Sequence, residues 1–207
     1  MTRPPARLLS TRLNSPALLM AAMLAAAAFC GASGCAGPAA KGAGTTLVIV
    51  RHAERDPGAD PPLNAEGLRR AEALKTALGD ARPTAIYCTD LIRNRQTAEP
   101  LAKALNLTSP ILIPEAAYAD TRMAANDIIG RVRARHPGEV VLWVGNLGSA
   151  KYPNQPGINQ AILEALGGKL AEPARYSDLY IAVIPATGPP ARIIRASYGG
   201  PSSLDAK

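Results

Sequence analysis

The stretch LVIVRHAERD, residues 47–56, decides how the rest of the chain is read. Leu47 to Val50 are apolar without interruption. Arg51, His52, Ala53 and Glu54 follow at once. The apolar run is too short for a helix and reads as a strand buried on both faces of a parallel sheet. The switch from apolar to charged then puts Arg51 and His52 at the strand's C-terminal end. Only two of the 207 residues are histidine, so one of the pair stands between an arginine and an acid at a strand tip.

Working outward, strand and helix alternate. Thr46 to Val50 is the first strand, and Arg51 to Pro62 is a loop marked by Pro57, Gly58, Pro61 and Pro62. Asn64 is placed to cap a helix in which Leu68, Ala71, Leu74 and Leu78 recur at helical spacing up to Gly79. Ala85 to Cys88 is a second strand. A helix over about 93–105 contains Pro100, which is expected to kink or split it. Ile111 to Ile113 is a third strand. Met123 to Arg135 is helical, with Ile128, Ile129 and Val132 inward and its arginines outward. Val140 to Val144 is a fourth strand. A helix from about Ile158 to Leu166 ends at Gly167-Gly168. Leu179 to Ile184 and Ala191 to Ala196 read as a closing hairpin. The pattern predicts one α/β domain, a three-layer α/β/α sandwich on a mostly parallel sheet.

The N-terminus is a separate matter. Arg3, Arg7 and Arg12 precede the apolar stretch Ala17 to Phe29, and small residues follow. This is the pattern of a secretory signal. Its end, Ala32-Ser33-Gly34-Cys35, resembles a bacterial lipoprotein signal, with Ala32 where leucine is usual. Residues 1–35 are therefore expected to be a signal segment with Cys35 as the lipidation site. Simple cleavage or retention as an anchor are the alternatives. Residues 36–45 are expected to be a flexible tether, 46–200 the folded domain and 201–207 a tail. The protein is then expected in the periplasm or cell envelope, meeting the membrane through its N-terminal lipid or signal segment.

Charge and composition exclude several classes. The formal charge is +7, and without the three leader arginines 20 basic residues remain against 16 acidic ones. That mild excess is scattered and aromatics are sparse, which argues against a nucleic-acid partner. Cys30 and Cys35 lie in the leader and Cys88 is alone. No Cys/His cluster points to a metal site, and no cofactor motif is present.

In sheets of this kind, ligands gather at the C-terminal strand ends. Arg51 and His52 follow the first strand, Thr89 to Arg93 the second, and Gly145-Asn146 the fourth. Two guanidiniums suit a phosphate or carboxylate, so a phosphorylated or anionic small molecule is the expected ligand. An imidazole beside them is able to attack phosphorus. Taken singly, a histidine after a strand is ordinarily structural, and an arginine at a helix start is ordinarily solvated.

Together, V-R-H-A-E at 50–54, P-L-N-A-E-G at 62–67, T-D-L-I-R-N-R-Q-T-A at 89–98 and V-V-L-W-V-G at 140–145 resemble the histidine phosphatase superfamily, the phosphoglycerate-mutase-like proteins. The likeness runs over about 46–197. It implies that His52 is a nucleophile carrying a phosphoryl group, that Arg51 and Arg93 grip the phosphoryl oxygens, and that a carboxylic acid protonates the leaving oxygen without a metal. The family pattern also requires a second histidine directly after V-G. This chain has Asn146 there.

A neutral amide gives up about 1 to 2 kcal/mol relative to a charged donor, which predicts a phosphatase slowed tenfold or more. The alternative is a catalytically inactive pseudoenzyme binding an anion or a partner. His136, the other histidine, is expected at the opposite sheet edge. For the acid, the order of expectation is Asp120, Glu115, then Glu54. Asp90 is expected to cap the helix near Arg93, and Ser149 to close a turn.

Overall fold

The computed structural model describes residues 44–107, 109–171, 174–187 and 191–205. The leader over 1–35, the Cys35 reading and the tether up to residue 43 lie outside them. Among the described residues, no helix is long and apolar enough to cross a membrane.

Six strands form one sheet: β1 (Thr45–Arg51), β2 (Ala85–Thr89), β3 (Ile111–Ile113), β4 (Val140–Gly145), β5 (Asp178–Ile184) and β6 (Arg192–Ser197), in the order β3-β2-β4-β1-β5-β6. The first four lie parallel, while β5 runs antiparallel to β1 and β6 antiparallel to β5. The helices are α1 (Ala65–Leu78), α2 (Ile92–Ala104), α3 (Thr121–Arg135) and α4 (Ile158–Ala165), with a short 3-10 helix at Glu115–Asp120 that the periodicity does not foretell.

Side chains alternate across a strand, so each central strand feeds two cores. Val48, Val50, Ile86, Cys88, Leu142 and Val144 pack with Leu74 and Leu78 of α1 and Ala98 and Leu101 of α2. Leu47, Ile49, Tyr87, Val141 and Trp143 pack on the other side with Ile128 and Val132 of α3 and Ile158 and Ile162 of α4. This is the expected three-layer sandwich.

Several local expectations change. Asn64 caps α1, accepting from Gly67 N at 2.9 Å. Leu68, however, is 52% exposed, and the buried stripe of α1 is Gly67, Arg70, Ala71, Leu74 and Leu78. Pro100 does not split α2, which runs unbroken over 13 residues. Buried Ala98, Leu101 and Ala102 flank the proline and hold both halves of the helix on one core. Asp90 does not cap α2. Its Oδ1 accepts instead from Glu115 N at 2.9 Å, and Asp60 from the loop after β1 accepts from Ile92 N. His136 ends α3 and bonds Glu139 and the Tyr87 hydroxyl, at the strand edge opposite His52.

The burial of Arg70 has a specific cause. Glu54 is wholly buried, and Arg70 Nε reaches both its oxygens at 2.7 and 2.9 Å. The rest of that guanidinium donates to the carbonyls of Tyr198 and Gly200. The pair thus locks the residue two after His52 to α1 and to the chain beyond β6. Glu54 is thereby engaged as a structural ion, not as a free acid. Arg70→Met leaves that carboxylate buried and alone, and is expected to lower stability by about 3 to 5 kcal/mol, read from urea unfolding.

Candidate active site

The loops after β1, β2 and β4 are fastened to one another by backbone groups. His52 N donates to Gly145 O at 2.9 Å, so β1 and β4 stay paired up to the histidine. Ala53 N donates to Thr97 Oγ1 at 2.9 Å, and that hydroxyl donates to Arg93 O at 2.8 Å. Asn94 Nδ2 donates to Val144 O at 3.0 Å. Asn159 of α4 closes the seam, taking the Trp143 indole N–H and donating to Val50 O. The glycine of V-G is required here, because a Cβ on Gly145 would lie 2.1 Å from Asn159 Oδ1.

On this frame the site is dry. His52 is 4% exposed, Arg93 5% and Asn146 1%. Burial is the largest cause lowering the proton affinity of Arg51, His52 and Arg93. Arg51, Arg93 and Arg55 each depress His52 further, and Arg55 acts the same way on both other arginines. The charges of three guanidiniums therefore act on one imidazole. Arg51 Nε, Arg55 Nε and Arg93 Nε are buried without a hydrogen-bond partner among the described residues, as is Asn146 Oδ1. Inward-facing donors of this kind match an oxyanion.

His52 is set up in one tautomer. Nδ1 lies 2.8 Å from Ala53 O. A carbonyl only accepts, so Nδ1 carries the proton and Nε2 keeps its lone pair. Burial, and then the arginine charges, push the imidazole pKa down to about 3, so the ring is neutral near pH 7.

The structure also adds residues that sequence reasoning missed. The Tyr176 ring lies 3.7 Å from the Arg51 guanidinium carbon, its hydroxyl accepts from Arg51 Nη2 at 3.0 Å, and it meets the His52 ring edge-on. Tyr176 precedes β5, and only the antiparallel run of β5 against β1 brings it to this edge. Asp205 Oδ1 holds its backbone N–H at 2.8 Å, so part of the expected tail is bonded to the site. The Tyr118 hydroxyl accepts from Asn146 Nδ2 at 3.4 Å. Arg55 stands in the opening stretch, but no role was assigned to it there.

The acids fall in a different order. Asp120 is exposed and caps α3, accepting from Met123 N at 2.9 Å. Its place at a helix start, not in the site, corrects the sequence expectation. Glu115 is half-buried, its charge acts on Arg93, and it accepts from Ser149 Oγ at 3.1 Å. Ser149 Oγ also accepts from Lys151 N, the turn closure that was expected of it.

The pH behaviour follows from His52. Between about pH 6.5 and 3 the unfolded chain binds a proton at this residue and the folded one does not, so stability is full above that window and falls as pH drops through it. His52→Gln is expected to flatten this contribution, checked by urea unfolding across the window.

Comparison with known proteins agrees with the geometry. Residues 47–116 match the histidine phosphatase superfamily, branch 1. An 8-oxo-(d)GTP phosphatase of Mycolicibacterium smegmatis is 35% identical over 106 residues, 47% of this chain. The match spans only 33% of that relative. The protein histidine phosphatase SixA, solved with tungstate, superposes with a TM-score of 0.58 at 17% identity, covering 73% of this chain and 96% of its own. Bacillus stearothermophilus YhfR gives 0.52 at 18%, covering 72% and 95%. At such identities these two likenesses establish the fold alone. Matched segment and sheet agree: residues 47–116 match the histidine phosphatase superfamily, and the whole sheet has the fold of the protein histidine phosphatase it superposes on.

Proposed function

We propose that the chain hydrolyses phosphomonoesters through a phosphohistidine at His52, slowly, because Asn146 stands where the family pattern has a second histidine. The observation that carries this reading is the His52 ring: neutral, its Nδ1–H committed to Ala53 O, and under the charge of three arginines.

In the first step the Nε2 lone pair attacks phosphorus and the bond to the leaving oxygen breaks. Glu115 supplies the proton that the leaving alcohol requires. Arg51, Arg55 and Arg93 take up the charge on the equatorial oxygens. In the second step water attacks the phosphorus, gives its proton to Glu115 and releases the N–P bond. His52 and inorganic phosphate are regenerated. The mycobacterial relative is named for a nucleoside triphosphate, whose terminal phosphoryl group is joined through an anhydride and not an ester.

Asn146 limits the rate. Its Nδ2 faces Tyr118, and its buried Oδ1 has no partner among the described residues. Rotating the amide by half a turn would let Tyr118 donate to Oδ1 and aim Nδ2 at an oxyanion, still as a neutral donor. This unmatched amide also favours the second reading, a pseudoenzyme that holds phosphate or an anionic partner without turning it over. The leader reading belongs to the same proposal: a periplasmic or envelope domain anchored at Cys35.

The test is phosphate release from a generic aryl phosphate. Wild-type protein is expected to turn over slowly, His52→Ala not at all, and Asn146→His about tenfold faster or more. No release by either wild-type protein or Asn146→His, with phosphate still bound, would establish the pseudoenzyme instead.

A further inference from the structure

Arg93, on which the phosphoryl pocket depends, is already ion-paired. Its Nη1 donates to Asp60 Oδ1 at 3.1 Å and to Ala59 O at 3.4 Å, both in the loop between β1 and α1. The two Asp60 oxygens also accept from Ile92 N, each at 3.1 Å. Arg55 Nη1 draws the same loop inward, donating to Asp56 O at 2.9 Å and Gly58 O at 3.2 Å. The loop is anchored at its base and open at its tip. Leu63 is buried and bridged to Arg55, whereas Asp56, Pro57, Gly58 and Ala59 are exposed. The pair itself straddles this boundary, with the Arg93 side chain 7% exposed and that of Asp60 33%.

We infer that Asp60 is a built-in competitor for the phosphoryl group: its carboxylate holds Nη1 of Arg93, and the 56–60 loop is a latch that weakens as an incoming phosphate takes up the same guanidinium. This rests on the phosphoryl-pocket reading above.

Carboxylate and phosphate oxygens use the same guanidinium donors. Both anions on one arginine repel each other, so binding one weakens the other. A phosphomonoester dianion replaces the single charge of Asp60 with a larger one. A diester or a simple carboxylate brings one charge and gains nothing over the group it displaces. The latch therefore selects dianionic monoesters and keeps the arginine paired at other times. Helix capping by Asp60 is a separate role needing one oxygen, which asparagine retains.

The experiment is calorimetric titration of the full chain with inorganic phosphate at pH 8, for wild type, Asp60→Asn and Arg93→Ala. Asp60→Asn is expected to bind about two- to fivefold more tightly than wild type, the range for relief from a partly exposed ion pair, and Arg93→Ala to lose binding. Equal or weaker binding by Asp60→Asn, with wild type binding and Arg93→Ala not, would overturn the latch and leave the pocket standing. No binding by either wild type or Asp60→Asn would overturn both. If Asp60→Asn fails to fold, Asp60→Ser also keeps a capping oxygen and is read in the same way.

Discussion

One hydroxyl joins two of the three loops that make the site. Thr97 Oγ1 takes the Ala53 N–H and gives its own proton to Arg93 O. Beside it, His52 N reaches Gly145 O. Strands end because their backbone partners end, and these few bonds carry the pairing of β1 with β4 one residue past the strand. They fix where His52 begins, and so which way its ring leaves the sheet. Without them the residues after β1 and β2 would each satisfy their polar groups in water, and no shared site would exist.

What the seam assembles is electrostatically costly. Three arginines crowd one imidazole in a region shielded from water. Burial and mutual repulsion both act against the positive charges, and the protein offsets this in two visible ways: Tyr176 receives Arg51, and Asp60 receives Arg93. The same unfavourable concentration of positive charge is what makes an oxyanion welcome. Burial first, and that charge second, keep His52 neutral, and the carbonyl of Ala53 decides which nitrogen is free. Glu54, the acid nearest in sequence, takes no part in this because Arg70 claims both of its oxygens.

Much of the arrangement is legible in the residues. The apolar run into Arg-His, the N-cap at Asn64 and the strand ending in Gly145 are local patterns. Local sterics and backbone hydrogen bonding write them directly into sequence. The misreadings concern groups with equivalent local chemistry. Asp90 and Asp60 are both fit to cap α2, and the loop after β1 brings Asp60 to Ile92 N while Asp90 turns to Glu115 N. Asp120 and Glu115 both follow β3, and a 3-10 turn leaves one at a helix start and turns the other toward Arg93. Leu68 fits the helical period but lies outside the stripe that Glu54 and the sheet select.

The sequence by itself determined the layers, the strand ends and the residue types that reach them, since periodicity and turn chemistry act over a few neighbours. Tertiary structure alone decided the company each charged group keeps. Tyr176 comes from 125 residues away to meet Arg51, and Tyr198 and Gly200 arrive from beyond β6 to complete Arg70. A charge is stabilised or frustrated by whatever the folded chain sets within a few ångströms, and no local pattern records that.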